Sequence, residues 1–85
     1  MRVVFEGRVQ KVGFRLEVEE LAKRLGLTGY CENLENGAVR AELQGAANRI
    51  AFLIDFMHGL KRIKITRMSR EELPVIPDES GFVTG

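Results

Sequence analysis

Glu6-Gly7-Arg8-Val9-Gln10-Lys11-Val12-Gly13-Phe14-Arg15 joins two unlike patterns. An apolar strand, Val3 to Phe5, runs into it, and an amphipathic helix pattern, Phe14 to Leu25, runs out of it. A glycine-punctuated turn that opens a helix leaves backbone N–H groups without helical carbonyl partners. The positive end of the helix dipole lies at the same place, so the segment favours an anion. Arg15 falls in the first helical turn, where its planar fork of donors can grip that anion at two points. The segment reads as a small cradle for phosphate or carboxylate. The plainer alternative is a tight strand-to-helix turn with a solvated arginine. A nucleotide P-loop is excluded, because nowhere is Gly followed after four residues by Gly-Lys-Ser/Thr.

Outward from this turn, Val3, Phe5 and Val9 alternate with Arg2, Glu6 and Arg8, the two-residue period of a strand. Val4 breaks that pattern and is expected on a partly covered side. Phe14, Val18, Leu21, Ala22 and Leu25 share one helical stripe, and Gly26 supplies its stop. Thr28 to Leu34 reads as a second strand, weakened by Gly29. Glu35-Asn36-Gly37 is a hairpin signal, because Asn-Gly tolerates positive φ at low cost. Val39, Ala41 and Leu43 alternate with Arg40, Glu42 and Gln44 in a third strand. Ala46 to Leu60 reads as a second helix, with Gly59 as its stop and His58 at the negative end of its dipole. Ile63 and Ile65 alternate with Lys64 and Thr66 in a fourth strand. Two prolines in Leu73-Pro74-Val75-Ile76-Pro77 make that stretch a loop. Gly81 to Gly85 is expected as a short final strand.

The order β-α-β-β-α-β is the split βαβ, ferredoxin-like α+β plan. Right-handed crossovers place two helices on one face of a four-stranded antiparallel sheet, with an additional C-terminal pairing allowed. The 85 residues make one domain spanning 1–85, large enough for a single core at 45% apolar residues. Phe52 and Phe56 widen the apolar face of the second helix, and Met57 and Met68 fill core; core packing is the expectation for the two phenylalanines, a dimer contact the lesser one.

Thirteen basic residues nearly cancel twelve acidic ones, a net charge of +1 that argues against a nucleic-acid partner. No apolar run approaches the ~20 residues of a membrane span. Met1-Arg2-Val3-Val4-Phe5, met at once by Glu6, is too short for a signal-peptide core and alternates like a strand. Cys31 is the only cysteine, so no internal disulfide can form. It reads as a small buried apolar residue rather than a nucleophile. A single histidine, His58, defines no metal site. A soluble, cytoplasmic protein with no membrane partner is expected.

Two motifs now carry a resemblance. Gly7-Arg8-Val9-Gln10-x-Val12-Gly13-Phe14-Arg15 resembles the first signature of the acylphosphatase family. Gly29-Tyr30-Cys31-Glu32-Asn33-Leu34-Glu35-Asn36-Gly37-Ala38-Val39 resembles the second, followed by the expected glycine at Gly45. The likeness is strong from Val3 to Gly45 and weaker beyond it, where Gly81-Phe82-Val83 is similar to the family's last strand.

The resemblance implies the same ferredoxin-like fold and hydrolysis of acyl phosphates to a carboxylate and inorganic phosphate. It implies two catalytic residues: Arg15 holds the substrate phosphate and Asn33 positions the attacking water. Phosphate binding would fall to Val9, Gln10, Lys11, Val12, Gly13, Phe14 and Arg15, largely through backbone N–H groups. The scheme calls for no metal and no cofactor. A small-molecule acyl phosphate is the expected partner, inorganic phosphate the product and inhibitor, and the expected state a monomer. Read alone, Asn33 is better taken as satisfying backbone groups at a strand end, a preference that its pairing with the first motif reverses, and Asn36 is turn chemistry.

The family usually has glycine where this chain has Lys11. A left-handed backbone there would cost lysine ~1–2 kcal/mol relative to glycine; an ordinary backbone would leave lysine adding charge near the anion. Two rival functions remain at this level. One is a non-catalytic phosphate-binding or regulatory module on the same fold. The other is RNA binding, which the topology also supports, but strand three, Ala38 to Gln44, lacks the aromatic residues that stack bases.

Overall fold

The computed structural model describes residues 1–77 and 79–84. Its elements are β1 (Arg2–Arg8), α1 (Phe14–Arg24), β2 (Thr28–Asn33), β3 (Val39–Gln44), α2 (Ala47–His58), β4 (Lys64–Glu71) and β5 (Phe82–Thr84). The sheet order is β4-β1-β3-β2-β5. The first four strands pair antiparallel, whereas β5 pairs parallel with β2, so the sheet is five-stranded and mixed. The expected end of the last strand, Gly85, lies outside the described residues.

Alternation in the sequence decides which face is covered. Val3 and Phe5, Cys31, and Val39, Ala41 and Leu43 are buried on one side of the sheet, and Phe14, Val18 and Ala22 of α1 and Ile50, Leu53, Ile54 and Met57 of α2 close over them. Both helices therefore lie on one face, and α1 packs against β2 and β5. The other face carries a ladder of charges set by register. Arg2 stands opposite Glu42, and Glu42 opposite Tyr30. Arg2 Nη2 donates to Glu42 at 2.9 Å and the Tyr30 hydroxyl donates to the same carboxylate at 2.7 Å. Arg40 pairs with Glu32 across the next row. Val4 sits half-buried on this open face, as its break in the pattern suggests.

Three features depart from the sequence expectations. First, β4 runs to Glu71, beyond the Ile63–Thr66 alternation. A bulge between Glu6 and Gly7 sets Gly7 opposite Ile65 but Glu6 opposite Arg67. The extra residue brings Ile65 and Met68, three apart, against the same core, so a period-two reading loses the strand. Second, Phe52 and Phe56 are 54% and 42% exposed, stacked on each other with centroids 6.5 Å apart. The expectation of core packing fails because Leu53, Ile54 and Met57 already fill α2's inner stripe. Third, the last strand adds a fifth, parallel strand beside β2, and the Leu73–Pro77 stretch, a loop as expected, leads the chain from the β4 edge toward that strand. Gln44 pins it in passing: its Nε2 donates to Ile76 O at 2.8 Å, and Ile76 N donates to its Oε1 at 2.7 Å.

Gly29 does not weaken β2 but is required by it. Its φ is 133°, and a Cβ there would overlap the Glu42 carbonyl.

Candidate active site

The turn between β1 and α1 is held at both ends by the core. Phe5 in the middle of β1 and Phe14 at the start of α1 are buried with ring centroids 4.9 Å apart, tilted by 59°. Such a pair adds about 0.5–1.5 kcal/mol to its burial. In the turn itself, after β1 ends, the backbone makes two left-handed residues, Lys11 at φ 61° and Gly13 at φ 78°. Gly13 is the N-cap of α1 and offers no side-chain cap. At the start of the helix Glu17 N donates to Gly13 O at 3.1 Å. A curled backbone at a helix start, where the first N–H groups have no helical carbonyl to reach, is an anion cradle.

The seven residues of the expected binding run differ in what they present. The Val9 and Phe14 side chains are core, each 1% exposed, so only their backbone faces the turn. Val12 is packed against the core edge, and Lys11 and Gly13 are exposed. Gln10 turns its side chain away from the turn. Its Nε2 donates to Leu34 O at 2.8 Å and to Ala38 O at 2.9 Å, which staples the cradle to the root of the β2–β3 hairpin. Arg15 is half-buried in the first turn of α1 and makes interactions of its own.

Asn33 is the last residue of β2, exposed, in register with Val39, which in turn opposes Phe5. It alternates with Gly29 and Cys31, so it lies on the helix-covered face where the helices' cover ends. Phe5 touches Phe14, the neighbour of Arg15. Arg15 and Asn33, distant in sequence, thus lie at one end of one face. Cys31, two residues before Asn33 on the same strand, lies within reach of the Arg15 charge. Its thiol is pushed up to about 12 by burial, against an opposing pull from the Arg15 charge. The buried thiol therefore stays neutral and is no nucleophile.

The hairpin that carries Asn33 is built as its Asn-Gly signal suggests. Asn36 Oδ1 accepts from Ala38 N at 3.0 Å, and Leu34 N donates to Ala38 O at 2.8 Å. His58 is an exposed helix-end residue whose Nδ1 lies 3.0 Å from Ile54 O. Among the described residues no group of three or more His, Cys, Asp or Glu side chains gathers as metal ligands. Among the described residues no helix is long and apolar enough to cross a membrane.

Sequence reasoning missed the anchoring role of one side chain around the cradle and the whole of another. Gln10 was expected as a binding residue and is also its anchor. Arg62, in the turn before β4, was not singled out. Its Nε donates to Val12 O at 2.8 Å and its Nη2 to Glu17 Oε1 at 2.7 Å. No local signal marks it, because its partners stand 50 and 45 residues away.

The chain is similar to known acylphosphatases in sequence and in fold. An acylphosphatase of Clostridium beijerinckii is 39% identical over 80 residues, 93% of this chain and 89% of its own. The crystal structure of acylphosphatase from Bacillus subtilis superposes with a TM-score of 0.88 at 28% identity, covering 99% of this chain and 94% of that one. That of an acylphosphatase from Coxiella burnetii gives 0.86 at 32%, covering 99% and 88%. The acylphosphatase family profile matches residues 1–84, and the chain belongs to the acylphosphatase family.

Proposed function

We propose that the chain hydrolyses a small-molecule acyl phosphate in the cradle between β1 and α1. The observation that carries this reading is the pairing of an uncapped, twice left-handed helix start with Arg15 on it and Asn33 at the same end of the same face. Backbone N–H groups of the 9–14 run and the Arg15 guanidinium hold the phosphoryl oxygens. The Asn33 side-chain carbonyl accepts a hydrogen bond from the attacking water and sets its line of approach.

The water oxygen forms a bond to phosphorus, the bond from phosphorus to the acyl oxygen breaks, and its electron pair leaves with the carboxylate. The water proton passes to a phosphate oxygen, since an amide is a poor base. A carboxylate is a good leaving group, so positioning and charge stabilisation supply most of the catalysis. The scheme needs no metal or cofactor. Inorganic phosphate, as product, inhibits from the same cradle. The chain works as a cytoplasmic monomer without nucleic-acid or membrane partners, a reading supported by its balanced charge.

The test is phosphate release from a small acyl phosphate with and without chelator. Release that survives chelation and is inhibited competitively by phosphate supports the reading. Release that vanishes with chelator and returns with a divalent ion refutes it.

A further inference from the structure

Arg62 touches the cradle from outside. The Val12 carbonyl that it holds and the Gly13 N–H belong to one trans peptide, in which the two point in opposite directions. A fixed carbonyl therefore fixes the N–H. Gly13, at φ 78° and without a Cβ, offers little resistance to rotation of that peptide. A flipped peptide would present a carbonyl oxygen, not a donor, to the anion. Arg62 is also a charged donor. Its bond to the carbonyl polarises the peptide and strengthens the N–H at the far end. Glu17, in the first turn of α1, holds the guanidinium at 2.7 Å.

We propose that Arg62 is a positioning residue for the phosphate cradle, setting the direction and donor strength of the Gly13 N–H through the Val12 carbonyl. This rests on the cradle assignment above. The Arg62 and Glu17 side chains are 49% and 33% exposed, so their ion pair adds little to folding. Phosphate binding and stability are therefore expected to separate.

The experiment uses the full chain as wild type, Arg62→Ala and Arg62→Lys. Inorganic phosphate is titrated while the Gly13 amide resonance is followed, and each protein is melted. In the wild type, phosphate shifts the Gly13 amide. Arg62→Ala is expected to raise the phosphate Kd about tenfold and to lose most of that shift, as for one charge-assisted hydrogen bond removed. Its Tm should stay within ~4 °C. Arg62→Lys, which retains charge and a donor without the fork, should restore part of both signals.

An unchanged Kd with an unchanged Gly13 response in Arg62→Ala would overturn the inference and leave the cradle assignment standing. A wild type whose Gly13 amide ignores phosphate would overturn both. Should Arg62→Ala fail to fold, Glu17→Gln decides. It leaves the Val12 donor in place but poorly held, and it is expected to weaken phosphate about threefold; an unchanged Kd overturns the inference.

Discussion

Lys11→Gly tests the cradle's backbone directly. Lys11 has φ 61°, the one non-glycine residue with positive φ among those described. An L-residue there costs ~1–2 kcal/mol relative to glycine, from crowding of Cβ against the following carbonyl. Glycine returns ~0.5–1 kcal/mol of that through its greater freedom in the unfolded chain. The side chain is exposed, so its removal opens no cavity. The net expectation is a gain of ~0.5–1 kcal/mol. At about 4–8 °C per kcal/mol for a domain of this size, Tm should rise about 2–8 °C.

The phosphate Kd should change less than about twofold at 0.15 M salt, since an exposed charge is screened over about 8 Å. Lys11→Ala is the control, because it removes the charge and keeps the strain; it should melt with the wild type. The assay is a thermal melt of each protein beside phosphate titrations at low and high salt. Weaker phosphate binding in both variants, narrowed by salt, with an unchanged melt in Lys11→Gly, would refute the strain account and make Lys11 a source of charge.

The other expectations follow from the same geometry. Asn33→Ala should lower kcat by ~100-fold or more with phosphate affinity nearly unchanged, whereas Arg15→Ala should abolish measurable phosphate binding and Arg15→Lys should restore little of it. A folded Asn33→Ala protein with full kcat would end the water-positioning role. Cys31, with its buried thiol pushed up to about 12, should resist iodoacetamide at pH 8 in the folded chain and react on unfolding. Its raised value stabilises the fold fully below the ordinary thiol value of ~8.5 and is lost as pH rises toward the folded one. Native-state labelling at the unfolded rate would contradict that burial. Glu42 is held below the usual carboxylate range first by the Tyr30 hydroxyl, then, against some desolvation, by Arg2. That contribution is present above the ordinary carboxylate pKa of ~4.3 and lost as pH falls through the folded value. Tyr30→Phe should cost ~0.5–1.5 kcal/mol at pH 7 and less near pH 3; an equal loss at both, by denaturant titration, would assign the effect elsewhere.

What the chain dictates by itself is local. The strand-to-helix turn, the α1 stripe, the Asn36-Gly37 hairpin and the alternation of β1 and β3 each depend on periodicity or backbone preference within about ten residues. Those are the signals that sequence carries, and they placed Arg15 on a helix start and Asn33 near a hairpin. They also showed that Lys11 sits in a turn, but its φ of 61° emerged only when Phe5 and Phe14 packed and closed that turn.

The rest required the tertiary structure. The bulge opposite Glu6 and Gly7 put Ile65 and Met68 on one side, a spacing with no period to read. The full inner stripe of α2 left Phe52 and Phe56 outside, although their spacing alone fits either face. β5 joined β2 in parallel because the proline-bearing loop crosses to the far edge, pinned on the way by Gln44 at the end of β3. Gln10 and Arg62 met the carbonyls they hold only after β3 and the turn before β4 were folded beside the cradle. A hydrogen bond between residues tens of positions apart leaves no mark on either one's neighbours in sequence. The machinery that shapes this cradle is therefore legible in the fold and silent in the chain.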